Sequence, residues 1–241
     1  MKAFVLAEPG KVKWFDAPEP QLVPYGAILK PVAVTPCSSD VHTVFGGGSK
    51  KQDNLVLGHE CIAEVVSVGE NVCDFKTGDR VAVPAITPDW REKSIQEGND
   101  RHASAPFSGH QLGRTQPGVF SERFLIKDAD TTLAHIPQKI SEEQALMSVD
   151  VVTTGFTGAE YADIKIGDTV CVIGIGPIGL MAVAGAKLRG AARIIAVGTR
   201  PKCVQLAKYY GATDVLSYKE GDIVQQVKEL TNGIGVDATI I

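Results

Sequence analysis

Gly174-Ile175-Gly176-Pro177-Ile178-Gly179 is a G-x-G-x-x-G run, set where a continuous apolar stretch, residues 168–174, meets a segment with apolar residues at helical spacing. In such a run the first glycine permits a tight turn and the second lets the backbone approach a pyrophosphate. The third lets helix and strand pack closely. A helix beginning at Pro177 would point unpaired N–H groups and a positive dipole end at that pyrophosphate. A glycine-rich turn between packed elements is the plainer account of the hexapeptide, but its place between a strand pattern and a helix pattern favours dinucleotide binding.

The next apolar run ends in Val197-Gly198-Thr199-Arg200-Pro201. An Asp or Glu at this distance beyond the motif would bind the ribose 2′-hydroxyl of NAD, and none is present. Gly198 makes room and the Arg200 guanidinium can fork onto a 2′-phosphate, so NADP is expected over NAD. A solvated cation at a helix start, with Thr199 as an ordinary cap, would account for the same residues without a ligand. Upstream, Cys37 and the pair His59-Glu60 are of metal-ligand type. Singly, they read as a small buried thiol and a surface pair. Position 63 is Ala, so the H-E-x-x-H signature of zinc peptidases is excluded.

Two regions must position these residues. Residues 1–126 contain short β-branched runs at 27–34, 62–68 and 80–83, parted by turns such as Thr77-Gly78-Asp79, and predict an irregular, mostly antiparallel β domain. Residues 87–117 are polar and weakly periodic, and read as a long surface excursion. From Asp168 on, strands at 168–174, 193–197, 212–216 and 236–241 alternate with helices at 177–189, 201–210 and 222–230. The first two helices carry Pro in the first turn and Gly past the end. That alternation is the first half of a doubly wound sheet and the start of its second half. An apolar end at Thr239-Ile240-Ile241, inside what should be a buried strand, leads us to expect a chain truncated at its C-terminus.

Composition narrows the function further. The 241 residues are 44% hydrophobic and 22% charged, with 24 Lys and Arg against 28 Asp and Glu, a net charge of −4. No basic stripe is available for a nucleic-acid backbone, and no apolar run approaches the roughly 18 residues of a membrane span. Five cysteines with no C-x-x-C pair and no signal peptide point to a reducing cytoplasm.

Together, Cys37 with Ser39-Asp40 and His42, then Gly58-His59-Glu60 with Gly69 and Val72, then the Gly174 motif, resemble the zinc-dependent medium-chain alcohol dehydrogenase family over essentially the whole chain. Thr87-Pro88-Asp89-Trp90, Thr153-Thr154-Gly155-Phe156 and Gly198-Thr199-Arg200 are most similar to its NADP-dependent secondary-alcohol members of tetrameric type. The resemblance implies a GroES-like catalytic zinc domain over 1–150 and an incomplete NADP-binding Rossmann domain over 151–241. It implies one catalytic zinc held by Cys37, His59 and Asp150, with Glu60 as an alternate ligand. Ser39 and His42 would relay the alcohol proton, and Pro177, Ile178 and Tyr218 would join the glycines, Thr199 and Arg200 at the cofactor. It further implies an alcohol, ketone or aldehyde substrate and a homotetrameric parent.

A thiolate, an imidazole and a carboxylate leave a fourth tetrahedral position open, as a catalytic zinc requires. The region 85–115 lacks the four cysteines of the family's structural zinc lobe, so no structural zinc is expected. Ala63 replaces a common Gly, and His110 stands where close relatives place an aromatic residue near the substrate, in a divergent loop at 99–117. Two other readings are a zinc-free quinone or enone reductase of the same superfamily, and a truncated non-catalytic chain that binds dinucleotide or packs with full-length partners.

Overall fold

A computed structural model describes residues 1–46, 54–98 and 109–241 of the chain, which divides into two compact units, Met1–Asp150 and Val151–Ile241.

The first unit opens with β1 (Lys2–Glu8) and β2 (Lys11–Asp16), then β3 (Ala27–Thr35), α1 (Ser38–Val44), β4 (Leu55–Val56), β5 (Glu60–Val68) and β6 (Arg80–Val83). The short elements α2 (Lys93–Gln96), β7 (Phe124–Ile126), α3 (Ala129–Thr132), β8 (Ala134–His135) and α4 (Glu142–Leu146) follow. One sheet runs β2-β1-β4 and another β7-β3-β5-β6-β8, and every pairing in both is antiparallel.

The axis of the second sheet is the β3–β5 pair, in which Val34 faces Cys61 and Thr35 faces Glu60. Alternation along β5 sends Cys61, Ala63 and Val65 into the main core with Leu29, Val81 and Phe124. Ile62 faces the other way, onto Ala145 and Val149 at the end of the unit. Because successive side chains point to opposite faces, this register decides what stands at the mouth of the pair.

The polar stretch 87–117 is not wholly a surface excursion. Residues 99–108 lie outside the described residues, but Ile95 is 5% exposed and Leu112 is 1% exposed within the main core. These isolated apolar side chains anchor the described parts on either side, where the polar composition hid them.

The second unit contains α5 (Val151–Tyr161), β9 (Thr169–Ile173), α6 (Pro177–Leu188), β10 (Arg193–Val197), α7 (Pro201–Tyr210), β11 (Asp214–Leu216), α8 (Ile223–Leu230) and β12 (Ala238–Ile240). The strands are parallel in the order β11-β10-β9-β12, the 3-2-1-4 order of a doubly wound sheet. Val170, Val172, Ile194 and Ala196 are buried beneath helices, with Leu180, Val183 and Ala207 covering them. No helix among the described residues is long and apolar enough to cross a membrane.

Candidate metal and cofactor sites

Cys37 ends the link from β3 into α1, and Gly58-His59 is the approach to β5. The β3–β5 register therefore delivers thiol and imidazole to the same end of the sheet. Glu60 is the first residue of β5 and Asp150 the last residue of the first unit. The chain is returned there by the packing of Ala145 and Val149 on Ile62 and by a hydrogen bond from Ala85 N–H to the Val149 carbonyl. One donor atom from each of Cys37, His59, Glu60 and Asp150 lies within 4.8 Å of the others. Ligands bonded to one tetrahedral zinc at about 2.0–2.3 Å stand roughly 3.3–3.8 Å apart, so a small contraction closes the set.

The imidazole is aimed. Its Nε2 is 3.7 Å from Asp150 Oδ2, 3.8 Å from Glu60 Oε1 and 3.3 Å from Ser39 Oγ. On the other side of the ring, Nδ1 lies 3.2 Å from Asp40 Oδ1, at ion-pair distance but without the alignment of a full hydrogen bond. Asp40 also accepts the Cys37 N–H at 2.9 Å and the Gly58 N–H at 3.2 Å, tying the turns that carry Cys37 and His59 to one carboxylate. Asp40 was not among the expected site residues. Its signal in the sequence is an acid three residues after Cys37, where it can reach back to the N–H that opens α1.

Electrostatics report the crowding. Burial pushes His59 down, but Asp150, Asp40 and Cys37 outweigh it and lift the imidazole to about 11. Burial raises Asp40, yet His59 and the two backbone N–H groups hold it below its ordinary value. Glu60 is pushed up by burial and then by the Asp150 charge. Glu60 is 2% exposed, and its Oε2 has no hydrogen-bond partner among the described residues. A thiol, an imidazole and two converging carboxylates, one with an orphaned oxygen, fit a divalent cation of zinc's preferences.

His110 packs edge-on against His59, with ring centroids 4.5 Å apart. Burial, then His59 and Arg114, push it down to about 4. His42 is exposed on α1, three residues beyond Ser39.

In the second unit, a cavity of about 330 Å³ is lined by Gly174, Gly176, Gly198, Thr199, Arg200 and Tyr218, among others. Gly174 has φ +91°, the left-handed turn that glycine alone enters freely. A Cβ on Gly179 would stand 1.8 Å from the Gly174 carbonyl oxygen, so Gly179 serves helix–strand contact rather than lining the cavity. Pro177 occupies the first turn of α6, and Ile178 is 39% exposed beside it. Arg200 Nη2 reaches across to Gly176, 3.4 Å from where a Cβ would be. Thr199 Oγ1 donates to the Tyr218 hydroxyl at 2.9 Å. The room left by Gly198 is taken by Ile175, whose Cγ1 would stand 2.2 Å from an added Cβ.

A wider cavity of about 490 Å³ lies in the first unit near Tyr25, Asp89, Arg91 and Asp128. Three of its charges are mutually engaged, with Arg91 forking onto Asp128 at 2.7 and 3.1 Å and reaching Asp89 at 3.2 Å.

Residues 24–138 match the alcohol dehydrogenase GroES-like domain, and residues 177–241 match the zinc-binding dehydrogenase family. The chain is 56% identical over its whole length to the NADP-dependent isopropanol dehydrogenase of Thermoanaerobacter brockii and covers 68% of it. It is 52% identical to the protein of the same name from Clostridium beijerinckii, covering 69%. Among solved structures, zinc-dependent alcohol dehydrogenase 2 from Streptococcus pneumonia, in its apo form, superposes with a TM-score of 0.89 at 29% identity over 99% of this chain and 68% of that one. The chain thus spans about two thirds of the length of its relatives, with a GroES-like domain followed by a Rossmann-type one, and it belongs to the zinc-dependent medium-chain alcohol dehydrogenase family.

Proposed function

We propose that this chain forms the zinc-binding and NADP-binding part of an enzyme that moves a hydride between a small secondary or primary alcohol, or the matching ketone or aldehyde, and NADP(H). Residues 1–150 would be the catalytic domain and 151–241 the cofactor domain. The reading is carried by the meeting of Cys37, His59, Glu60 and Asp150 donors within 4.8 Å.

Cys37, His59 and Asp150 would hold one zinc, with Glu60 alongside as an alternate ligand. Zinc bound there supplies Lewis-acid polarisation of an alcohol or carbonyl oxygen, and NADP(H) supplies hydride exchange. Ser39 Oγ lies beside His59 Nε2 and would take the alcohol proton, since a hydroxyl both donates and accepts. The proton would go on through the cofactor ribose toward His42, on the same face of α1 and open to solvent. Asp40 holds the His59 ring with Nε2 toward the donors. In the second unit Gly174, Gly176 and the start of α6 at Pro177 and Ile178 would admit the pyrophosphate, with Gly179 letting that helix lie close on the turn. Arg200 engages the 2′-phosphate beside Gly198, Thr199 and Tyr218.

A zinc-free reductase would have no use for Cys37, His59 and Asp150 together. A non-catalytic chain would have none for a serine hydroxyl against the ligand ring. The five free cysteines suit a reducing cytoplasm, and the parent enzyme is proposed to be a homotetramer. Metal analysis and steady-state assays with acetone and 2-propanol test the proposal. About one zinc per chain and a strong preference for NADPH over NADH are expected. Absence of zinc, or a preference for NADH, overturns it.

A further inference from the structure

His110 is the polar side chain against the donor cluster for which the chemistry above has no use. The backbone on both sides of it is fixed. The Gly109 carbonyl accepts the Thr87 N–H at 2.8 Å, and Gly109 itself has φ +85°, with Pro88 3.0 Å from where a Cβ would sit. On the other side, the Gln111 carbonyl collects the N–H groups of Arg114, Thr115 and Gln116, and Leu112 is locked in the core. The ring is thereby presented to His59, and its Nε2 is buried with no hydrogen-bond partner among the described residues. A buried polar atom left unpaired costs free energy, and in a functional pocket such an atom is commonly reserved for a ligand.

We propose that His110 Nε2 is a specificity-determining group that hydrogen-bonds a second oxygen of the substrate, carried on the carbon next to the reacting one. The site then favours α-hydroxyketones and vicinal diols over ketones and alcohols with purely alkyl arms. This rests on the proposed hydride-transfer function of the same site. A substrate whose reacting oxygen is held at the donors faced by His59 Nε2 would lie beside a ring whose centroid is 4.5 Å from that of His59, and the unpaired nitrogen is what that ring offers a neighbouring hydroxyl. An imidazole serves either kind of second oxygen, because its ring nitrogens can donate or accept. A pocket with a buried hydrogen-bonding group discriminates against the analogue that leaves it unpaired, more sharply than an apolar wall discriminates by size.

Hydroxyacetone and acetone differ only in that second oxygen. In NADPH-dependent reduction by the zinc-loaded protein, kcat/KM for hydroxyacetone should exceed that for acetone by about tenfold or more. His110→Phe, which keeps an aromatic ring and removes the nitrogens, should bring the two within about threefold, and His110→Gln, which restores a donor and an acceptor, should recover the preference. A ratio that His110→Phe leaves unchanged, or a native preference for acetone, overturns the proposal. A second readout does not need turnover. In protein carrying ¹⁵N-histidine, the His110 signal, identified by its loss in either variant, should shift on adding hydroxyacetone and stay in place with acetone. If neither ketone is reduced, the hydride-transfer reading fails, and the signal still decides the role of His110: no shift with hydroxyacetone refutes it.

Discussion

Asp40 Oδ1 stands 3.2 Å from His59 Nδ1, on the side of the ring away from the donor cluster, while Oδ2 accepts the N–H of Cys37. One carboxylate thus sets the direction of the imidazole and the start of the helix that follows the thiol. Asp40→Asn keeps the shape but loses the charge facing His59 and, because an amide NH2 cannot accept, one of the two backbone N–H contacts. Zinc affinity is expected to fall by about 10- to 100-fold, the usual cost of losing a partner that orients a ligand. Competition for the metal against a chromophoric chelator measures this, and equal retention by both proteins would count against the role given to Asp40.

Arg200 carries the cofactor assignment. Arg200→Ala should weaken NADPH binding by about 10- to 100-fold, as for loss of charge-assisted hydrogen bonds, while NADH affinity stays within about twofold. Fluorescence titration with both nucleotides separates the two, and parallel losses would point to a general disturbance of the turn.

Two glycines of the motif should fail in different ways. An added methyl at position 179 meets the Gly174 carbonyl oxygen at 1.8 Å, which is backbone that cannot step aside. Gly179→Ala is therefore expected to cost about 1–3 kcal/mol or more of stability and to abolish nucleotide binding. At Gly176, with φ −73°, the nearest atom is a movable Arg200 nitrogen at 3.4 Å. Gly176→Ala should keep its melting temperature and lose NADPH affinity, because the methyl occupies the pyrophosphate approach. Thermal melts paired with titrations check the contrast.

Acid should loosen the parallel sheet through Asp214. The Arg193 guanidinium forks onto it at 2.8 and 3.2 Å and holds its carboxyl below the ordinary 3.8. A folded-state value below the unfolded one means stability present above about pH 4 and lost as pH falls through the lower folded value. With the Asp214 side chain a quarter exposed, solvent screening limits the contribution to about 0.5–1 kcal/mol. Asp214→Asn should be less stable than the native protein by that amount at pH 7, and the gap should shrink below pH 4. Urea unfolding at both pH values tests this, and a gap independent of pH would exclude the charge as its cause.

What could be read from residues alone follows how local the physics is. The turn at Gly174 and the contact at Gly179 arise within a few residues of chain, and the apolar runs of β9 and β10 announce buried parallel strands directly. The donor cluster is different. Cys37, His59 and Asp150 have no mutual spacing to recognise, since the β3–β5 register and the packing of Val149 on Ile62 bring them together. Only their resemblance to a family pattern singled them out. Asp40 belongs to the same motif, but its contacts with Gly58 and His59, 18 and 19 residues away, have no local signal that would assign it a role at the cluster.

The helix α5 escaped for the opposite reason. Val151-Val152-Thr153-Thr154-Gly155 is poor helix sequence by local propensity. It folds as a helix because its small residues let it lie close on α6, where Gly155 leaves no space for a side chain against Ile178 and Met181.

The pairing of Thr35 with Glu60 and of Val34 with Cys61 also ties the donor cluster to the phase of the sheet. A chain that zips β3 to β5 one step out of phase turns Glu60 into the apolar interior and Cys61 toward the helix side, and carries His59 away from Cys37. Such a misfolded chain would hold no metal at all. On the proposed ligand set, metal uptake would therefore report that the two strands have paired in register.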